Sequence, residues 1–350
     1  MMFVLKFIIL SVFFLTKCFC ILAPLGYSNK DYQEAAESQK IFERVCYIRH
    51  KTGSLTGVMI HPRLIITAAH GVVHALTTKK KSKIPQEVNN LEVGFANPMS
   101  ASWKFWAHHS IAKVLIHPLY SLKKGQPSYD VAFLILKEPL KDIAYLKLPP
   151  SLTMTSKTPG WVGTFGSADL HFTDLAPKRA FCLLEWDLAF AFAVQSEGAF
   201  FQNRRLIPLS SVFFSPGDTD NNGNLEKKER TSEALNNWRQ HKNPPYGLAL
   251  PGTSGSPVFI SQNQEPLIFG LVTSFAALAN DRFYDPTGTS EAALLLQKPR
   301  REIYGRYQTI VTPFYDLDQK ELGKAEAWKF FLNPHIQEML DICLNEIERD

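Results

Sequence analysis

From Arg44 onward, short apolar runs alternate with residues that break them. VCYI (45–48), LIIT (64–67), LEVGF (91–95), KVLI (113–116) and VAFLIL (131–136) are separated by breakers such as His61-Pro62, Lys83-Ile84-Pro85 and His117-Pro118. A second set follows Leu148-Pro149-Pro150-Ser151, which reads as a linker: WVGTF (161–165), AFCLLEW (180–186), PVFI (257–260), LIFGLVTSF (267–275) and TIVTPF (309–314). Many short strands with few helical periodicities predict a sandwich or barrel. Residues 215–245 are strongly polar and read as an insertion. Over 320–347 the apolar residues take helical spacing, interrupted at Asn333-Pro334. This predicts a C-terminal helix whose apolar face (Ile336, Met339, Leu340, Cys343, Ile347) packs on the body. No repeat at a fixed period is visible.

The amino terminus has a different pattern. In MMFVLKFIILSVFFLTKCFCILA (1–23), Lys6 precedes an apolar run from Phe7 to Leu15 with only Ser11 polar. The run is short against the ~20 residues a spanning helix needs, and it suits the core of a signal peptide. A signal over 1–20 is expected, cleaved after Cys20 or Ala23, with a leader or pro-segment over 21–40 that is polar from residue 28. The alternative is an uncleaved anchor or a buried helix of the fold. Export makes the expected location secreted or periplasmic, with membrane contact only transient, through the signal. Removing 1–20 takes Lys6 and Lys17, so the formal charge of +5 becomes +3. It also takes Cys18 and Cys20, leaving Cys46, Cys182 and Cys343, too few for a disulfide scaffold.

Composition narrows the classes further. A chain of 350 residues, at about 150 per domain, suits two units. With 45% hydrophobic residues it can bury a sizeable core, which excludes disorder throughout. The basic run Lys79, Lys80, Lys81 and Lys83 reads as a solvated loop, so no nucleic-acid partner is expected. His108-His109 has no metal-ligand spacing to other candidates, and no dinucleotide fingerprint or phosphate loop is present.

Three short motifs carry chemistry. Leu64-Ile65-Ile66-Thr67-Ala68-Ala69-His70 is a strand delivering a histidine, and Asp130-Val131-Ala132-Phe133-Leu134-Ile135-Leu136 is an aspartate heading an apolar strand. Pro251-Gly252-Thr253-Ser254-Gly255-Ser256-Pro257 holds a serine between glycines, which permit a tight backbone that projects the hydroxyl. In the order His, Asp, Ser, the set resembles the trypsin-like (chymotrypsin-fold) serine proteases. Ile111 through Tyr120, ending in His-Pro-Leu-Tyr, resembles that family's strand before the aspartate. Gly160-Trp161-Val162-Gly163-Thr164-Phe165-Gly166 resembles the segment opening its second barrel, and Gly270 through Phe275 the strand lining its primary pocket.

The resemblance implies an all-β fold of two antiparallel six-stranded barrels with the active site between them, plus a C-terminal helix. The domain would cover 41–345: a first barrel over 41–150, a second over 151–320 and the helix over 320–347. It implies a serine endopeptidase acting on protein or peptide substrates through an acyl-enzyme on Ser254. His70 would be the base, Asp130 its orienting partner, and the N–H groups of Gly252 and Ser254 the oxyanion hole. The alternative is a catalytically silent relative acting as a binding or adhesion module.

The chain departs from the family in places. Thr253 stands where trypsin and its relatives carry an aspartate, and no Ile-Val-Gly-Gly-like start lies upstream of Val45. Their zymogen switch is therefore expected to be absent. The Gly-x-Ser-Gly-Ser-Pro-Val form also resembles glutamyl-endopeptidase-like members. Leu248, six residues before Ser254, falls at the pocket floor, with Thr273, Ser274 and Phe275 on the pocket strand. An apolar floor offers a basic side chain no carboxylate, so specificity for Arg or Lys is not expected.

The insertion contains a second candidate site. Asp218-Thr219-Asp220-Asn221-Asn222-Gly223-Asn224-Leu225-Glu226-Lys227-Lys228-Glu229 matches an EF-hand loop without a gap. Asp218, Asp220, Asn222, Glu226 and Glu229 would supply side-chain oxygens and Asn224 its carbonyl, a set suited to Ca²⁺. Ser215-Pro216-Gly217 leaves no room for an entering helix, so the loop resembles single bacterial calcium loops more than a paired sensor.

Overall fold

The computed structural model describes residues 21–22, 40–50, 53–76, 91–95, 107–123, 126–155, 160–165, 179–186, 212–215, 248–249, 253–262, 265–279, 282–284, 307–317 and 327–349. The signal segment 1–20, most of the leader and residues 216–245 of the insertion lie outside these.

The amino-terminal half supplies β1 (Ile21–Leu22), β2 (Val45–His50), β3 (Gly53–His61), β4 (Leu64–Thr67), β5 (Glu92–Phe95), β6 (Ala107–Ile116), β7 (Ser121–Lys123), β8 (Gln126–Ser128) and β9 (Ala132–Leu136). A short helix, α1 (Ala69–Leu76), leaves the end of β4. Six of these strands close into an antiparallel barrel in the order β2-β3-β4-β9-β6-β5. Ala132, Leu134 and Leu136 of β9 alternate into its core, meeting Cys46, Ile48, Leu55, Met59, Ile65 and Val93. Phe133 and Ile135, between them, are equally buried. A strand covered on both faces needs a continuous apolar run, which is what the sequence from Val131 to Leu136 supplies.

Strand β3 is the barrel member that the apolar runs do not reveal. Gly57 faces the interior, where a Cβ would come within 2.8 Å of Ile65 and 2.9 Å of Ile48. Glycine there lets β3 approach its neighbours at the cost of the apolar signature. Helix α1 is also an addition to the sequence reading, since His70 lies within it and not in an extended turn.

The second half supplies β10 (Ser151–Thr155), β11 (Gly160–Phe165), β12 (Arg179–Trp186), β13 (Val212–Ser215), β14 (Leu248–Ala249), β15 (Pro257–Gln262), β16 (Glu265–Ala279), β17 (Arg282–Tyr284), β18 (Tyr307–Pro313), β19 (Tyr315–Leu317) and β20 (Ala327–Leu332). Seven form an antiparallel sheet in the order β15-β11-β12-β13-β18-β16-β17, with β15 also paired to β16. A three-stranded sheet, β10-β20-β19, joins the start of this half to its end. β1 pairs with β14 through Ile21↔Ala249 and Leu22↔Leu248.

The C-terminal helix, α2 (Pro334–Arg349), begins later than the expected 320, because Ala327–Leu332 is strand. Asn333 explains the boundary. Its side-chain oxygen accepts the N–H of His335 at 2.9 Å and its carbonyl accepts that of Gln337 at 3.0 Å, with Pro334 in the first helical position. Of the expected apolar face, Ile336, Met339 and Cys343 are buried, while Leu340 and Ile347 are half-buried. The helix packs against β9, and Lys113 of β6 pairs with its Glu346. Among the described residues, no helix is long and apolar enough to cross a membrane.

Candidate active site

Three distant segments converge at one edge of the barrel. β4 ends at Thr67, and its continuation through Ala68 and Ala69 places His70 in the first turn of α1. β9 begins at Ala132, which leaves Asp130 just before it with its carboxylate fully buried. Ser254 lies in the turn that precedes β15.

Asp130 meets His70 twice. Its Oδ1 accepts the backbone N–H of His70 at 2.7 Å, and its Oδ2 lies 2.6 Å from His70 Nδ1. The first-turn N–H groups of a helix lack partners within the helix and carry its positive end. The carboxylate therefore satisfies one of these donors in a field that favours its charge. A buried carboxylate can only accept, so the imidazole proton sits on Nδ1. Nε2 is left as an acceptor, 2.9 Å from Ser254 Oγ. Asp130, His70 and Ser254 thus form one hydrogen-bonded chain.

The serine turn is tightly specified. Ser256 N–H donates to the Thr253 carbonyl at 2.9 Å, and Gly255 has φ of 78°. A glycine at the third position is what a type II turn requires. The turn is held on both sides. Thr56 N–H of β3 donates to the Ser254 carbonyl at 3.0 Å, and Gly255 N–H donates to the Val272 carbonyl of β16 at 2.8 Å. A Cβ on Gly255 would stand 2.3 Å from the Thr56 carbonyl and 2.3 Å from Thr67 Oγ1. Thr56, Thr67 and Val272 are site neighbours that the motif reading does not assign. Thr67 lies inside the first motif, where its short polar side chain in an otherwise apolar strand was the available signal.

Behind Asp130, Tyr129 adopts φ of 50°, an uncommon conformation for a bulky residue. Its ring stacks on His117 at 5.1 Å and an interplanar angle of 14°. His117 N–H donates to the Val131 carbonyl at 3.0 Å, its Nδ1 accepts the N–H of Leu119 at 3.2 Å, and its ring edge meets His335 of α2. Burial, reinforced by His335, lowers the His117 pKa to about 4. Burial, with Asp130 nearby, raises that of the Tyr120 phenol. His117 of the His-Pro-Leu-Tyr segment therefore contacts the residues on either side of Asp130, by its ring on Tyr129 and by its N–H to Val131.

The remaining expected residues are placed less fully. Thr273 is buried, with its hydroxyl 2.6 Å from that of Thr312 on β18. Ser274 and Phe275 pair with Ile310 and Thr309, and Leu248 with Leu22. Gly252 and the whole loop from Asp218 to Glu229 lie outside the described residues. Among the described residues, no group of three or more His, Cys, Asp or Glu side chains could hold a metal ion. Compared with family models the chain matches none, and it matches no curated protein.

Proposed function

We propose that this protein is an exported serine endopeptidase that hydrolyses peptide bonds through an acyl-enzyme on Ser254. The observation that carries the reading is the hydrogen-bonded chain from a buried carboxylate through His70 to the Ser254 hydroxyl. A serine hydroxyl is a weak nucleophile until a base takes its proton. Here Nε2 of His70 is positioned to do so while Oγ attacks the substrate carbonyl carbon. Asp130 stabilises the imidazolium that forms, and His70 then hands the proton to the leaving amine. Water repeats the sequence to release the acyl group. Backbone N–H groups of Ser254 and Gly252 are the expected oxyanion donors, worth about 3 kcal/mol each.

The two-barrel architecture belongs to this proposal. The closed first barrel supports it, as does the pairing of β15 with both β11 and β16, which joins six strands of the second sheet end to end. In the insertion, the oxygen-only donors of Asp218, Asp220, Asn222, Glu226 and Glu229 fit Ca²⁺, and its proposed role is to order that segment.

A casein assay and a peptide-library cleavage profile, each with and without Ca²⁺, test the reading. The expected result is hydrolysis blocked by a serine-directed phosphonate, with Leu or Phe peptides cleaved faster than Arg peptides. Faster Arg cleavage removes the specificity proposal, and phosphonate-insensitive hydrolysis removes the mechanism. Titration calorimetry without Ca²⁺ heat, unchanged in Asp218→Ala, removes the calcium proposal.

A further inference from the structure

We propose that Thr67 is a positioning residue that sets the distance between His70 and Ser254; the inference rests on the serine-endopeptidase reading. Thr67 is buried, and its Oγ1 donates to the Thr56 carbonyl at 2.7 Å. Thr56 uses its own N–H to grip the Ser254 carbonyl. Gly255 rests directly on this pair, since any Cβ there would overlap both the Thr56 oxygen and the Thr67 hydroxyl. Three residues beyond Thr67 in the same chain stands His70. One side chain therefore touches both the strand gripping the nucleophile and the turn bearing it, and it belongs to the segment that delivers the base.

The strand register explains why a side chain is used. The last β3–β4 pair at this end is Gly57↔Thr67, so the Thr56 carbonyl lies just past the ladder. A buried carbonyl without a donor is costly, and the Thr67 hydroxyl supplies one. The Thr56 hydroxyl reaches the other way, 3.4 Å from that of Thr164 on β11. Without the Thr67 hydroxyl, this end of β3 loses a tie to the segment that delivers the base, and misplacement on the ångström scale costs roughly 100-fold in rate.

The test is saturation kinetics of inactivation by a fluorophosphonate, which separates the initial affinity from the maximal inactivation rate. Thr67→Val, nearly isosteric, should lower the maximal rate by roughly 10- to 100-fold with little change in affinity. Thr67→Ser, which keeps the hydroxyl, should recover most of that loss. If Thr67→Val does not fold, judged by near-ultraviolet circular dichroism, Thr67→Ala compared with Thr67→Ser decides in the same way. A folded hydroxyl-free variant that inactivates within about twofold of wild type overturns the inference, as does an equal loss in Thr67→Ser. Wild-type protein that takes no label at Ser254 overturns the underlying reading instead, and this inference with it.

Discussion

Asp130 and His70 are joined by two hydrogen bonds, one to the histidine backbone and one to its ring. The same carboxylate therefore fixes where α1 starts and which ring nitrogen carries the proton. Asp130→Asn keeps an acceptor for the backbone N–H. Its amide group, however, donates toward Nδ1 and drives the ring proton to Nε2, where it cannot accept from Ser254. We expect hydrolysis to fall by about 10³- to 10⁴-fold with the fold retained. Steady-state rates and the thermal midpoint, measured together, check this; activity within tenfold of wild type contradicts it.

Acid should weaken the fold as two buried histidines are forced to take up protons. Burial lowers the pKa of His50 and of His117 from 6.5 to about 4, with His74 and His335 respectively adding to the effect. Both are neutral in the folded protein at a pH where the unfolded chain binds a proton. Their contribution is thus present above about pH 6.5 and is lost as pH falls toward 4. Each histidine adds a slope of up to about 1.4 kcal/mol per pH unit across that window. Urea midpoints at pH 7, 5.5 and 4.5 should fall steadily, and His117→Phe, which keeps a ring beside Tyr129, should flatten the slope. A midpoint independent of pH from 7 to 4.5 rules this out.

Gly255→Ala should be among the more damaging single-methyl changes in the protein. The added carbon meets two oxygens at 2.3 Å in a backbone conformation that side chains avoid. A loss of about 2–4 kcal/mol in chemical denaturation is expected, together with loss of activity. A variant with unchanged midpoint and rate contradicts the described turn.

Reducing agent should cost little. Cys46 and Cys343 are free and buried, and burial raises both thiols, that of Cys343 to about 12. The thiolate is the reactive form, so both should resist alkylation in the native state and react once unfolded. Peptide mapping after iodoacetamide treatment checks this, and native-state labelling of either cysteine refutes it.

The sequence carried more of the site than of the surrounding frame. His70, Asp130 and Ser254 stand out in the sequence because each lies within three residues of a strand end, His70 in the first turn of α1, Asp130 just before β9 and Ser254 in the turn before β15, a local pattern that can be read without knowledge of packing. The first barrel was legible where its strands are apolar on both faces, as in β9. It was not legible in β3, where Gly57 and Thr56 serve close approach and polar contact. The span from 327 to 332 reads as helix only if Asn333-Pro334 is treated as an interruption; the structure makes it the start of α2. Thr67 and Thr56 do not stand out in the sequence because the hydrogen bond that joins them runs between neighbouring strands, which no local pattern encodes.

The intact mass of the protein after treatment with a fluorophosphonate reports directly on whether Ser254 is an activated nucleophile. Nucleophilic activation of Ser254 predicts a single adduct that maps to the peptide containing Ser254. It should be absent in Ser254→Ala and strongly slowed in His70→Ala. Folded wild-type protein that gains no adduct, or one that maps to another residue and persists in Ser254→Ala, would contradict the account.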